Sequence, residues 1–213
     1  MKAKRIVMSV AGVMICAVSV GFFKLAAFGV DPFQTFMSGM DKVIPIEFGT
    51  LYVLVNVALL LFALVFDRHY IGLATFVNLF LLGYVVQFSY DTLLAVFPDA
   101  SLPVRVCSFV FGFVALCFSS SLYMTADLGV STYDAIAIIM ASTWKLGQFR
   151  FIRIGTDVCC VAIGCALYLL GGGALAEIPA IAGVGTILTA FFMGPLIDFF
   201  NRKISIPYLE KSK

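Results

Sequence analysis

Phe23-Lys24-Leu25-Ala26-Ala27-Phe28-Gly29-Val30-Asp31-Pro32-Phe33-Gln34 lines up with Tyr123-Met124-Thr125-Ala126-Asp127-Leu128-Gly129-Val130-Ser131-Thr132-Tyr133-Asp134. The match runs outward in both directions. Gly12 and Ser19 meet Gly112 and Ser119 at the same offset, and Asn56 falls opposite Asp157. Further on, Gly72, Thr75, Asn78, Gly83 and Gln87 match Gly183, Thr186, Thr189, Gly194 and Asp198. Chance similarity between apolar runs gives Leu and Val matches, not an ordered series of Gly, Thr and amide/acid matches. The chain is therefore written twice, with a first repeat at 1–100 and a second at 101–213.

The solvent of these repeats follows from composition. Of 213 residues, 62% are hydrophobic and only 12% are charged. Mean hydropathy is +1.07. A soluble domain is about half apolar and a quarter charged. So few charges cannot cover a water-facing surface, which argues against a soluble enzyme, a nucleic-acid binder and a disordered chain. The expected class is all-α, a polytopic membrane protein.

A spanning helix needs about 20 mostly apolar residues. Six runs fit: 6–28, 48–66, 71–90, 104–128, 154–170 and 178–200. Two shorter segments, 31–44 and 131–144, follow the first and fourth runs. Fourteen residues at 1.5 Å each reach only about 21 Å, short of the roughly 30 Å apolar core. They are expected to be re-entrant or interfacial, the first of them broken by Gly39 and Asp41. Six spans then divide into two inverted three-helix repeats. Eight spans would make the repeats parallel. With six spans and both ends inside, 11 of the 14 Lys and Arg residues are cytoplasmic, and Lys24, Lys42 and Arg105 face out. That distribution follows the positive-inside bias. The count does not decide between six and eight spans, since eight place only two basic residues outside.

The basic start and apolar first run mimic a signal peptide. The run is long enough to span, and the second repeat copies its pattern, so cleavage is not expected. The six cysteines (Cys16, Cys107, Cys117, Cys159, Cys160, Cys165) lie in apolar runs with no metal-ligand spacing to the single His69. They read as small packing residues rather than a disulfide framework. No catalytic or metal site and no cofactor is expected.

The quoted segments each stop one helix and start another. Gly29 suits the left-handed position after a helix, Asp31 suits an N-cap, Pro32 a first turn, and Gln34 can complete a capping box. Ser131 and Asp134 repeat the pattern. Two symmetry-related helix N-termini result, and free N–H groups there can hold a ligand oxygen or an anion. Asp134 can also be only the acid of its capping box. Asp157 and Asp198 are acids within spans, which are costly and usually face a partner or a cavity. Their alternative is pairing with Arg153 and Arg202, each one turn away. In the matched positions the first repeat offers amides (Gln34, Asn56, Gln87) and the second offers carboxylates. That asymmetry suits a polar substrate, cationic or zwitterionic, or a proton path. The candidate substrate-binding set is Asp134, Gln34, Asp31, Ser131, Phe33, Tyr133, Asn56, Asp157, Asn78 and Thr189. Phe33 and Tyr133 are either interfacial or stacked on a ligand. Asn78 and Thr189 can equally bond between helices.

The repeated Gly-Val-x-x-(Phe/Tyr)-(Gln/Asp) segment resembles the Gly-x-Ser-Pro-Trp-Asp element of the YczE/YitT-like bacterial membrane proteins. Gly183-Val184-Gly185-Thr186-Ile187-Leu188 with Gly194-Pro195-Leu196-Ile197-Asp198 is similar to that family's closing helix. The two copies here read Asp-Pro-Phe-Gln and Ser-Thr-Tyr-Asp. The resemblance implies the bacterial inner membrane and a transport role, with no substrate attached.

The functional expectation is a secondary transporter of a small polar organic molecule, with proton coupling left open by the acids. Its site lies at the repeat interface, where transporters of inverted-repeat design bind substrate. Partners are then a small-molecule substrate and the lipid bilayer, with no nucleic acid. The chain is small for a transporter, which leaves room for a homodimer. The alternatives are a non-transporting membrane scaffold or regulator, and the substrate-binding subunit of an energy-coupling-factor vitamin importer.

Overall fold

The structure, a computed structural model, describes residues 2–68 and 71–210. His69, named above, lies outside them. The described residues are helical, without strands. In chain order they form α1 (Lys2–Ala26), α2 (Pro32–Val43), α3 (Phe48–Phe66), α4 (Leu73–Val77), α5 (Gly83–Val96), α6 (Leu102–Ala126), α7 (Thr132–Ile138), α8 (Phe149–Leu170), α9 (Ile178–Ile181), α10 (Val184–Phe200) and α11 (Ile206–Glu210). Wider π-turns at Asn78–Leu82, Ile139–Thr143 and Asn201–Ser205 join α4 to α5, extend α7, and join α10 to α11. Six stretches are long and apolar enough to cross a membrane: Ala3–Ala26, Phe48–Phe66, Leu73–Val96, Leu102–Ala126, Phe151–Leu170 and Leu175–Met193.

The two long first helices of the repeats, α1 and α6, form the central pair. They run antiparallel along their length. Arg5, near the start of α1, donates to the Ala126 carbonyl at the end of α6. Arg105, near the start of α6, donates to the Ala26 and Ala27 carbonyls at the end of α1, at 2.8 and 3.1 Å. Each guanidinium thus meets carbonyls that a helix end leaves unpaired, where positive charge is favoured. Small residues let the backbones approach. A Cβ on Gly12 would lie 3.0 Å from the Ser119 carbonyl, and one on Gly112 would lie 3.1 Å from the Ser19 carbonyl.

Two further contacts cross between the halves. Gly39 of α2 packs on the backbone of Gly164 in α8, and α7 packs on α3. Gly39 therefore does not break its segment: α2 runs unbroken through Gly39 and Asp41. The glycine serves as a flat contact instead.

Each link after a first helix is held by the last span of the other repeat. The Thr75 hydroxyl donates to the Val130 carbonyl at 2.6 Å, and the Ala74 N–H donates to the Leu128 carbonyl at 3.0 Å. At the matched positions, the Thr186 hydroxyl donates to the Val30 carbonyl at 2.7 Å, and the Gly185 N–H donates to the Phe28 carbonyl at 2.6 Å. Thr75 and Thr186 also accept from the N–H groups of Gly72 and Gly183, both at 3.2 Å. The break at Ala182–Gly183 that makes this docking possible interrupts the expected run 178–200. Thr75→Val keeps the shape and removes the hydroxyl from two partly buried backbone partners. It is expected to cost about 1–2 kcal/mol, read as a lower thermal midpoint of the purified protein in detergent.

Candidate functional site

The two links are built alike. Ala27 and Asp127 both take φ of 53°, and Gly29 and Gly129 take 101° and 106°. The left-handed residue that closes each first helix is thus Ala27 or Asp127, with the glycine two residues on providing a second such turn. Asp31 and Ser131 then cap α2 and α7, accepting the N–H groups of Gln34 (3.2 Å) and Asp134 (3.1 Å). Neither expected capping box closes. Asp134 turns to the Ser131 hydroxyl at 2.7 Å instead. Gln34 is 3% exposed, and its Oε1 has no partner among the described residues.

Charge gathers where the two caps converge. Asp134, 9% exposed, accepts from Ser131, from the Tyr123 hydroxyl at 3.1 Å and from Arg153 Nη1. Arg153 Nε also lies 3.2 Å from Asp157 Oδ1. The Tyr133 hydroxyl donates to the same carboxylate at 2.6 Å, and the Arg153 guanidinium stands over the Tyr133 ring at 4.5 Å. Phe33 stacks on the same ring, with 5.0 Å between the Phe33 and Tyr133 centroids. Arg153 of α8 is therefore tied to α7 through the Asp134 carboxylate and the Tyr133 ring. Asp31, partly buried, is within electrostatic reach of Asp157 and Arg153. Asp31 itself has no ion-pair partner among the described residues. The centre holds three carboxyl groups (Asp31, Asp134, Asp157) against one guanidinium.

A polar ladder backs this centre. Thr132 donates its hydroxyl to Asn56 Oδ1, Asn56 Nδ2 donates to the Tyr52 carbonyl at 2.8 Å, and the Tyr52 hydroxyl donates to Asn78 Oδ1 at 3.2 Å. Asn56 and Asn78 thus bond between helices and support the first residue of α7. Thr189 lies apart, donating to the Thr186 carbonyl of its own helix at 2.9 Å. Asp198 pairs with Arg202 at 2.9 Å in an exposed position.

The sequence pointed to Arg153 only as a partner for Asp157, and to Tyr123 only as the first residue of the second matched segment. Their signals were present. Arg153 is a cation four residues before an acid inside an apolar run, and Tyr123 stands one turn before a helix break.

Against α2, α7 and α8 lies an apolar groove of about 480 Å³, with Phe33, Phe36, Tyr133, Met140, Cys160 and Ile163 among its walls. Asp31, Gln34, Asp134 and Asp157 are not among its lining residues, but Tyr133, which bonds Asp157, and Phe33, which stacks on Tyr133, are.

Residues 3–202 match the family described as "Family of unknown function (DUF6198)", and the chain belongs to that family. No curated protein and no solved structure matches the chain.

Proposed function

We propose that the chain is a secondary transporter of a small polar organic molecule, built as two three-span halves of opposite orientation. It sits in the bacterial inner membrane with both termini cytoplasmic. The observation that carries this reading is the acidic centre at the meeting of the two helix breaks, with one guanidinium for three carboxyl groups. Buried groups of that kind are costly and mark substrate or ion paths in membrane proteins.

The antiparallel α1 and α6 support the inverted arrangement. Three spans per half reverse the direction of the fourth. Counting α2 as a span gives four per half and a parallel pair. The reciprocal docking of each link on the other half's last span supports the same reading. Alternating access needs two halves that can rock about a shared site, and such a site lies at the repeat interface. The likeness to YczE/YitT-like proteins belongs to this proposal, since it rests on the same glycine and cap segments.

Asp31 suits proton coupling. It lies in the link between α1 and α2, outside the six apolar spans. Burial and the nearby Asp157 raise its carboxyl to about 6, against the lowering effect of its cap and Arg153. The groups facing it are Arg153, Asp157 and Cys160 on α8, Cys16 on α1 and Tyr52 on α3. A raised carboxylate pKa means ionisation above about 6 and protonation below, so a cationic substrate competes with a proton there. The test is current recording from protein-containing liposomes on a solid support, challenged with amines, amino acids and neutral metabolites. A transient current is expected for at least one solute, weakening as pH falls through 6 and losing that pH dependence in Asp31→Asn. Silence across the panel from folded protein would leave the scaffold reading instead.

A further inference from the structure

The two halves of the centre differ in how fully their polar groups are engaged. Asp134 has three side-chain partners, and Asp157 has two. Gln34 holds the position matched to Asp134, is 97% buried, and its Oε1 receives no hydrogen bond. The repeat explains the vacancy. The donors to Asp134 are Tyr123 and Arg153, and the matched first-half positions hold Phe23 and Tyr52. Phe23 has no hydroxyl, and Tyr52 directs its own to Asn78. A buried acceptor without a donor is destabilising, so its retention points to a donor that comes from outside the chain.

Asp31, the N-cap of α2, stands three residues before Gln34 of its first turn. Its Oδ1 accepts one backbone N–H, and among the described residues it has no cation of its own. A ligand group that donates to Gln34 and carries positive charge for Asp31 answers both needs. Phe33, which stands between Asp31 and Gln34 in the chain, lines the groove of about 480 Å³, and Cys160 in its wall is within electrostatic reach of Asp31. A ligand body placed there meets rings and aliphatic chains.

We propose that Gln34 and Asp31 bind the ammonium group of an apolar-bodied organic amine, whose body lies in the groove against Phe33 and Tyr133. This rests on the reading of the acidic centre as a substrate site, and it names the substrate class. A protonated primary amine supplies both donor and charge. A quaternary ammonium supplies charge alone, and an alcohol supplies the donor alone.

The test is equilibrium binding by calorimetry on the purified full chain in detergent at neutral pH. The probes are phenethylamine, its trimethylammonium derivative and 2-phenylethanol. Phenethylamine is expected to bind, with each of the other two about tenfold weaker or more. Gln34→Leu is expected to weaken phenethylamine by about tenfold while the thermal midpoint holds or rises, because an unpaired buried amide is removed. Asp31→Asn is expected to bring phenethylamine down to the level of the alcohol. Equal binding of amine and alcohol overturns the proposal, since the groove alone would then be the binder. No binding by folded wild type overturns it too, as does a Gln34→Leu variant that melts lower and binds normally. The transporter reading fails separately: amine binding without current removes transport and leaves the site, while current carried by a neutral or acidic solute without amine binding does the reverse.

Discussion

Arg153→Ala is expected to lower stability by about 3 kcal/mol, the low end of the cost of breaking a buried ion pair. The low end applies because the group is not sealed: the Arg153 side chain is 28% exposed, and those of Asp134 and Asp157 are 12% and 18% exposed. Removing the guanidinium leaves two carboxylates facing each other in poor solvent. It also removes the cation from the Tyr133 ring and the link from α7 to α8. Thermal unfolding in detergent at neutral pH reads the loss. Arg153→Ala combined with Asp134→Asn and Asp157→Asn removes the repulsion and is expected to recover part of it. An unchanged midpoint in the single variant would mean that solvent, not Arg153, neutralises the acids.

The six apolar runs were legible because they rest on residue identity and hydropathy, which survive without coordinates. The caps at Asp31 and Ser131 were legible for the same reason, since an N-cap is a local preference. What the local pattern did not carry was partner choice. Asp134 and Gln34 sit at matched positions, yet one meets Arg153 and Tyr123 while the other meets no donor. Those partners come from α6 and α8, and only packing decides them. Gly39 misled for a related reason. A glycine in a short polar helix suggests a break, but here its missing side chain is what lets α2 lie on Gly164. The π-turns left no sequence signal that we recognise. The matched Arg5 and Arg105 were in plain view, but each reads as a membrane-edge charge until the antiparallel pairing of α1 with α6 gives it a helix end to hold.

Gly183→Ala and Gly72→Ala are expected to cost about 3 kcal/mol each, the upper range for forcing atoms into a packed contact. A Cβ on Gly183 would lie 2.6 Å from the Phe28 carbonyl oxygen and overlap that of Pro179. One on Gly72 would overlap the Leu128 carbonyl oxygen and lie 2.5 Å from its carbon. These are backbone atoms, and they cannot step aside as a flexible side chain can. In both cases the link after a first helix must withdraw from the other half's last span, taking with it the Thr186–Val30 or Thr75–Val130 hydrogen bond. Gly155→Ala is the control. It sits within α8 with nothing within 4 Å of an added Cβ, and there alanine favours the helix by about 0.5–1 kcal/mol. Thermal midpoints of the three variants compare the two crossings directly. Similar losses at Gly72 and Gly183 are expected if the halves dock on one another in equivalent ways, as rocking about a shared centre requires. A loss at one position only would mean that the two crossings bear unequal load. One link would then be the fixed point and the other the part free to move.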